Sequence, residues 1–107
     1  MGKIGPQIIN TVRKFKGMVS AKYGIERIIL FGSAARGEMK TGSDVDLLIV
    51  TKKKANGLTS KLLIEWHIRQ GIRNPVDFIT YTKREFEQDL KGVTLASIAV
   101  KEGVEII

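Results

Sequence analysis

The sequence predicts an α/β (α+β) domain in which helices cover a small mixed sheet of three to four strands. Apolar residues that recur every three or four positions alternate along the chain with short runs rich in β-branched residues, the patterns of amphipathic helices and buried strands. The order of these patterns is helix, strand, strand, helix, strand, helix, helix, strand. With 107 residues, the chain is expected to form one domain over 1–107, because this length is close to the commonest domain size.

Glycines, prolines and polar residues at the ends of these patterns delimit each element. The predicted elements are a helix over 6–23, a strand over 25–31, a short helix over 33–38, a strand over 44–50, a helix over 59–70, a strand over 76–81, a helix that starts at 82–85, a helix over 95–101 and a strand over 104–107. Thr59 or Ser60 is expected to cap the third helix. Thr82-Lys-Arg-Glu85 is a capping-box pattern, and Phe86 and Leu90 are expected to point inward from the helix that it starts.

Composition excludes several classes of protein. The chain has no cysteine, which excludes disulfides and thiolate zinc sites. No apolar run approaches the roughly 18 residues of a membrane span, and the first residues lack the apolar core of a signal peptide, so the cytoplasm is the expected compartment. The net charge is +7, which suits a nucleotide or an acidic partner. Because aromatic residues are few and do not interleave with the basic ones, direct nucleic-acid binding is not expected.

The residues with chemical potential are concentrated between the first two predicted strands. Gly32 and Ser33 follow the first strand, and Asp44 and Asp46 begin the second. A Gly-Ser turn can offer backbone N–H groups and a hydroxyl to a phosphate. Carboxylates at i and i+2 on an extended segment point to the same face, about 7 Å apart. This stretch therefore predicts a phosphate-binding turn beside a pair of carboxylates.

A third carboxylate, Asp77, is second in the third predicted strand, between Val76 and Phe78, where a lone buried charge would be costly. Should this strand lie beside the second, all three carboxylates would converge on divalent cations such as Mg²⁺, which prefers oxygen ligands. The carboxylate nearest the attacking oxygen would be the candidate base. Taken singly, Asp44 could instead cap a turn and Asp46 could pair with a lysine. Together they repel each other unless cations lie between them.

A family resemblance rests on these residues. Gly32-Ser-Ala-Ala-Arg-Gly-Glu38 followed by Ser43-Asp-Val-Asp-Leu47 resembles the signature of the minimal nucleotidyltransferases of the DNA polymerase beta-like superfamily, and the resemblance covers essentially the whole chain. That signature is Gly-Ser, a spacer, Asp-x-Asp and a later third carboxylate. The resemblance implies the nucleotidyltransferase fold, two Mg²⁺ ions, and ATP as the donor of a nucleotide monophosphate.

The resemblance also implies a role for each residue of the signature. Asp44 and Asp46 would bind both metal ions, and Asp77 would bind the catalytic ion and help to deprotonate the acceptor. Gly32 and Ser33 would contact the nucleotide phosphates. A further nucleotide-binding position is implied for Arg36, which matches a family arginine but could equally pair with Glu38 or a strand carboxylate. Two other polar residues are expected to have structural roles, Ser43 in the turn before the strand and His67 on a helix.

The same resemblance implies a protein partner. Larger members add domains that hold the acceptor, whereas 107 residues leave room only for the catalytic core. An acceptor site would then come from a partner or from another copy of the chain. Minimal members are known as antitoxins paired with small helical HEPN ribonucleases, and they are similar to enzymes that transfer AMP to a tyrosine of the toxin. The alternative is an antitoxin that neutralises its partner by complex formation, with little or no catalysis.

Overall fold

A computed structural model of the protein describes residues 6–38 and 44–107. The predicted Ser43 turn lies outside these ranges. The elements are α1 (Pro6–Tyr23), β1 (Ile25–Phe31), α2 (Gly32–Ala35), β2 (Val45–Thr51), α3 (Leu58–Leu63), a π-helix (Ile64–Arg69), β3 (Val76–Thr82), α4 (Lys83–Asp89), α5 (Leu95–Glu102) and β4 (Val104–Ile106). The predicted mixed fold class is confirmed, and no helix in the described ranges is both long and apolar enough to cross a membrane.

The four strands form one mixed sheet in the order β3-β2-β1-β4. β1 pairs antiparallel with β2 and with β4, whereas β2 and β3 are parallel. A parallel pair needs a crossover connection, which α3 and the π-helix provide. As a result the N-terminal ends of β2 and β3 lie side by side, next to the C-terminal end of β1.

Helices cover both faces of the sheet, because the central strands are apolar on both sides. On one face Leu47 and Ile49 of β2 belong to a core that includes Phe15 of α1 and Trp66 of the π-helix. On the other face Leu48 and Val50 belong to a core completed by α4 and α5, whose buried members are Phe86, Ala96 and Ala99. Asp46 has the same strand parity as Leu48, and its side chain therefore points toward the face that α4 and α5 cover.

The third helix differs from its prediction at both ends. It begins at Leu58 after Gly57, whose φ is +69°, and no side chain caps it, so the expected cap at Thr59 or Ser60 is wrong. From Ile64 to Arg69 the backbone is a π-helix. In this wider turn two consecutive side chains, Glu65 and Trp66, are both buried.

Two further local predictions are wrong. The short helix after β1 ends at Ala35 rather than continuing to Glu38, because Gly37 has a φ of +69° and leaves the helical region. Leu90, expected to point inward, is 38% exposed. It lies just beyond the last residue of α4, where the helix no longer holds it against the sheet.

The predicted capping box at the start of α4 is confirmed and allows a stability test. The Glu85 N–H donates to Thr82 Oγ1 at 3.1 Å, and the Thr82 N–H donates to Glu85 Oε1 at 2.9 Å. We expect Thr82→Ala to lower the free energy of unfolding by about 1 kcal/mol in urea denaturation. Thr59→Ala is the matched control, because Thr59 is exposed and caps nothing, and its effect should stay within about 0.5 kcal/mol. Equal losses in the two variants would contradict the assignment.

Candidate functional site

Two of the predicted carboxylates are neighbours in the sheet. Asp46 of β2 is directly opposite Asp77 of β3 in the parallel register. Side chains opposite each other on parallel strands point to the same face, with the strands about 4.8 Å apart. Asp44 is exposed and immediately precedes β2. The crossover between β2 and β3 therefore brings together residues that are far apart in the sequence.

The electrostatic environment of Asp46 shows that the three carboxylates lie near one another. Burial raises the pKa of Asp46 above its ordinary value of 3.8, and the charges of Asp77 and then Asp44 raise it further. Asp77 itself is exposed, so the expectation that burial would make its charge costly is wrong. It lies near the start of β3, which is an edge strand of the sheet.

The three carboxylates do not form a ready metal cage. In 6–38 and 44–107, no three acidic, histidine or cysteine side chains already converge closely enough to hold a metal ion. The chemistry of the donor set nevertheless fits Mg²⁺, because it consists of hard carboxylate oxygens. The pKa of Asp46 is raised first by burial and then by repulsion from its acidic neighbours, and a bound divalent cation would relieve that repulsion. Loading a metal would require the side chains to close around it.

Gly32 begins the turn after β1 and lies against Asp46. Its φ is +74°, in the left-handed region, and a Cβ atom added to it would overlap Asp46 Oδ2. Sequence reasoning assigned this glycine to phosphate contact alone. In the structure its missing side chain also makes room for a carboxylate. Ser33 follows in α2, whose first N–H groups have no side-chain cap and no acceptor within the helix.

Arg36 pairs with Glu38, one of the two arrangements that its sequence context left open. Its Nε donates to Glu38 Oε1 at 2.8 Å, and both side chains are at least half exposed. This contact raises the pKa of Arg36, and the charges of Glu102 and Asp46 add to the effect. Ion pairs as exposed as this one contribute little to stability. Arg36 therefore lies beside the carboxylates in a pair that a phosphate could displace.

Two further features lie outside this cluster. His67 is exposed and its Nδ1 is 2.9 Å from the Ile72 carbonyl oxygen, which agrees with a structural role. A cavity of about 390 Å³ lies toward the opposite end of the face covered by α4 and α5, and it is lined by Glu26, Arg27, Val50, Lys83, Phe86, Glu87 and Leu90. None of the predicted site residues lines it.

Sequence reasoning missed one acidic neighbour of this cluster. Glu102 lies at the end of α5 and is close enough to Arg36 to affect its pKa. The pairing of β4 with β1 brings this helix end beside the Gly32–Ser33 turn, since Leu30 is opposite Val104. No local pattern around Glu102 indicates that proximity, because it depends on the closing strand of the sheet.

Comparisons with known proteins agree with this geometry. A family model described as a nucleotidyltransferase domain matches residues 12–106. A Methanocaldococcus jannaschii protein named "Putative protein adenylyltransferase" is 33% identical over 91 residues, which cover 78% of this chain and 92% of that protein. A spectinomycin 9-adenylyltransferase of Staphylococcus aureus is 39% identical over 64 residues, which cover 60% of this chain and 24% of that enzyme. A solved structure described as "Structure of putative minimal nucleotidyltransferase" has a TM-score of 0.65 at 24% identity over 92% of both chains, a likeness of fold.

Proposed function

The chain belongs to the nucleotidyltransferase domain family, and we propose that it transfers AMP from ATP to a hydroxyl group of a protein. The observation that carries this proposal is that Asp46 and Asp77 lie opposite each other on parallel strands, with the backbone of Gly32 against Asp46. This arrangement puts a turn whose first N–H groups have no side-chain cap and no acceptor within the helix next to neighbouring carboxylates. Those are the two parts that a nucleoside triphosphate with its cations requires.

We propose that the carboxylates hold two Mg²⁺ ions, with Asp44 and Asp46 binding both and Asp77 binding one. When bound, such ions offset the charge of the triphosphate and of the attacking oxygen. The Gly32 and Ser33 N–H groups, with the Ser33 hydroxyl, would hold the phosphates that leave. Arg36 would exchange Glu38 for a phosphate oxygen, since their exposed pair is weak.

In the proposed transfer, the acceptor hydroxyl oxygen forms a bond to the α-phosphorus of ATP. The bond from that phosphorus to the oxygen bridging it to the β-phosphorus breaks, and pyrophosphate leaves. Asp77 is the candidate to take the hydroxyl proton, because it is more exposed than Asp46, which lies opposite it in the sheet. It can therefore face an acceptor that approaches from solvent. The products are an AMP ester of the acceptor and pyrophosphate.

The acceptor that we favour is a tyrosine of a HEPN-type toxin, which would make this protein an antitoxin of the cytoplasm. Two observations support a protein acceptor. Asp44 and Asp77 are both exposed among the described residues, so a macromolecule can reach these two carboxylates. The relative named for protein adenylyl transfer is matched over 92% of its length, whereas the antibiotic-modifying enzyme is matched over 24%.

Labelled ATP tests the transfer directly. The protein would be incubated with Mg²⁺, the product of the adjacent reading frame as acceptor, and ATP carrying ³²P at either the α- or the γ-position. We expect label on the acceptor from α-labelled ATP alone, because the γ-phosphate leaves in pyrophosphate. Label from γ-labelled ATP would indicate phosphoryl transfer, and label from neither would contradict transfer to this acceptor.

A second candidate function is neutralisation by complex formation, and one observation favours it. Three apolar side chains around the start of α5 are exposed: Val93 at 98%, Leu95 at 40% and Ile98 at 44%. A tightly bound partner would remove them from water. The double variant Asp44→Asn/Asp46→Asn distinguishes the two functions in a growth assay with the toxin. Loss of protection supports catalysis, and full protection supports binding.

Ligand-dependent stability provides a test that needs no acceptor. We expect Mg²⁺ or Mn²⁺ to raise the melting temperature, and ATP with either ion to raise it further, because ligands that bind only the folded state stabilise it. At a ligand concentration of 100 Kd the gain is about 2.7 kcal/mol. Asp77→Asn should reduce the shift in differential scanning fluorimetry. An unchanged melting temperature with both ions would mean that the carboxylates do not assemble a metal site.

A further inference from the structure

Trp66 is the only tryptophan of the chain and one of its largest fully buried side chains. Its indole Nε1 donates a hydrogen bond to the Asn74 carbonyl oxygen at 2.8 Å. A buried indole N–H needs such a partner. The bond therefore connects the π-helix in the core to the segment that leads into β3 and Asp77.

Trp66 also contacts the residue that follows Asp77 in β3. Its ring packs edge-on against Phe78, with centroids 6.1 Å apart and planes at 86°. Phe78 follows Asp77 directly, and its side chain points to the opposite face of β3. The indole therefore contacts the backbone three residues before the carboxylate and the side chain one residue after it.

The segment that contains Asn74 and Pro75 is also hydrogen-bonded to the start of β2, next to the other two carboxylates. The Val45 N–H donates to the Pro75 carbonyl oxygen at 2.8 Å, and Val45 lies between Asp44 and Asp46. Asn74 and Pro75 are thus held by Trp66 on one side and by β2 on the other. The π-helix closes this arrangement through a bond from the Ile72 N–H to the Trp66 carbonyl oxygen at 3.0 Å.

We infer that Trp66 is a positioning residue, whose bond to Asn74 holds Asp77 in place to share a metal ion with Asp46. The inference rests on the proposed function, because it takes Asp77 to be a metal ligand. Loss of a group hydrogen-bonded to a metal ligand lowers metal affinity about 10- to 100-fold, and we expect the lower end of that range for Trp66, because it acts on Asp77 through Asn74 and Phe78. A phenylalanine would fill much of the same core space, so packing alone does not require the indole N–H.

Trp66→Phe tests this role, since it keeps a buried aromatic ring and removes the hydrogen bond. We expect the affinity for Mn²⁺, measured by calorimetry with a non-hydrolysable ATP analogue, to fall about tenfold. The turnover rate should fall by a similar factor. The KM for ATP should change less than about threefold, because the Gly32–Ser33 turn is untouched.

The matched control is Val19→Ala, which truncates a fully buried side chain of α1 outside the proposed site. It should lower the melting temperature at least as much as Trp66→Phe and leave Mn²⁺ affinity within about twofold. Equal Mn²⁺ affinity in Trp66→Phe and in the control would overturn the inference alone. Failure of the wild-type protein to bind Mn²⁺ or to transfer AMP would overturn the proposed function and the inference with it.

A measurement on the wild-type protein covers the case in which Trp66→Phe does not fold. As the sole tryptophan, Trp66 is the source of the tryptophan fluorescence. Addition of Mg²⁺ should change its emission in the wild type and leave it unchanged in Asp77→Asn. Metal binding by calorimetry without any change in emission would overturn the coupling between Trp66 and Asp77.

Discussion

Asp46→Asn is expected to lower nucleotidyl transfer by a factor of about a hundred to a thousand, the scale of losing a group that stabilises transition-state charge. Asp46 is the carboxylate that the other two surround, with Asp77 opposite it in the sheet and Asp44 close enough to raise its pKa. Asparagine keeps the shape of the side chain and removes the charge that would bind both cations. Transfer of α-³²P label to the acceptor measures this loss.

The same substitution should stabilise the metal-free protein. The folded-state pKa of Asp46 is raised by burial and by its two acidic neighbours, so ionisation of this group at neutral pH costs folding free energy. That cost is absent below the ordinary pKa of 3.8 and develops as pH rises through the folded-state pKa. In EDTA, Asp46→Asn should therefore melt above the wild type at pH 7, and the difference should shrink toward pH 4.

Glu87→Gln is the matched control for this experiment. Glu87 is an exposed carboxylate on α4 at the edge of the separate cavity, and its neutralisation should change neither transfer nor the EDTA melting temperature beyond small surface effects. A variant Asp46→Asn that melts below the wild type in EDTA would contradict the repulsion described above. Retained transfer in that variant would remove Asp46 from the catalytic site.

Local signals in the sequence are sufficient for most of the fold. Helix α1 and strand β1 have the predicted bounds because Gly24 is in the left-handed conformation, with a φ of +64°, between two unambiguous apolar patterns. The capping box at Thr82 begins α4 for the same kind of reason, since its two hydrogen bonds join residues only three apart. These bounds could be predicted because the residues that fix them are neighbours in the sequence.

The π-helix is an element that local signals in the sequence do not predict. The apolar pattern around Trp66 is compatible with a regular helix through Gln70, and nothing in it indicates an i→i+5 turn. Burial of both Glu65 and Trp66 depends on partners beyond the π-helix: Lys22 contacts the Glu65 carboxylate in addition to the local Arg69, and Asn74 accepts from the indole. Contacts across the fold select the wider turn, and they are not visible in the local sequence.

The candidate site divides in the same way. The Gly-Ser turn and the Asp-x-Asp pattern are local and could be identified from residue types and spacing. Whether Asp77 lies beside Asp46 depends on the order of the strands in the sheet, which the sequence pattern does not determine. The parallel pairing of β2 with β3 places the two residues opposite each other. The contact between Gly32 and Asp46 could not be predicted from local residue types, because it joins the end of one strand to the start of its antiparallel neighbour.

Gly32→Ala is expected to destabilise the fold and to disturb the carboxylate that lies against this glycine. The new Cβ would overlap Asp46 Oδ2, and the residue would also be held at a φ of +74°. Left-handed backbone costs about 1–2 kcal/mol per non-glycine residue, and overpacking of a tight contact adds about 1–3 kcal/mol. We expect the free energy of unfolding in urea to fall by about 3 kcal/mol, and transfer to be lost because Asp46 must move.

Gly57→Ala separates the two contributions. Gly57 has a φ of +69° and no heavy atom within 4 Å of an added Cβ, so its substitution should lower the free energy of unfolding only by the backbone term of about 1–2 kcal/mol. Adding Asp46→Ala to Gly32→Ala should recover the excess over Gly57→Ala, since the overlapping carboxylate is gone, while transfer stays absent. Equal losses in Gly32→Ala and Gly57→Ala would mean that Asp46 is free to move. In that case the turn and the carboxylate would not form one rigid site, and ordering Asp46 would fall to the bound nucleotide and its cations.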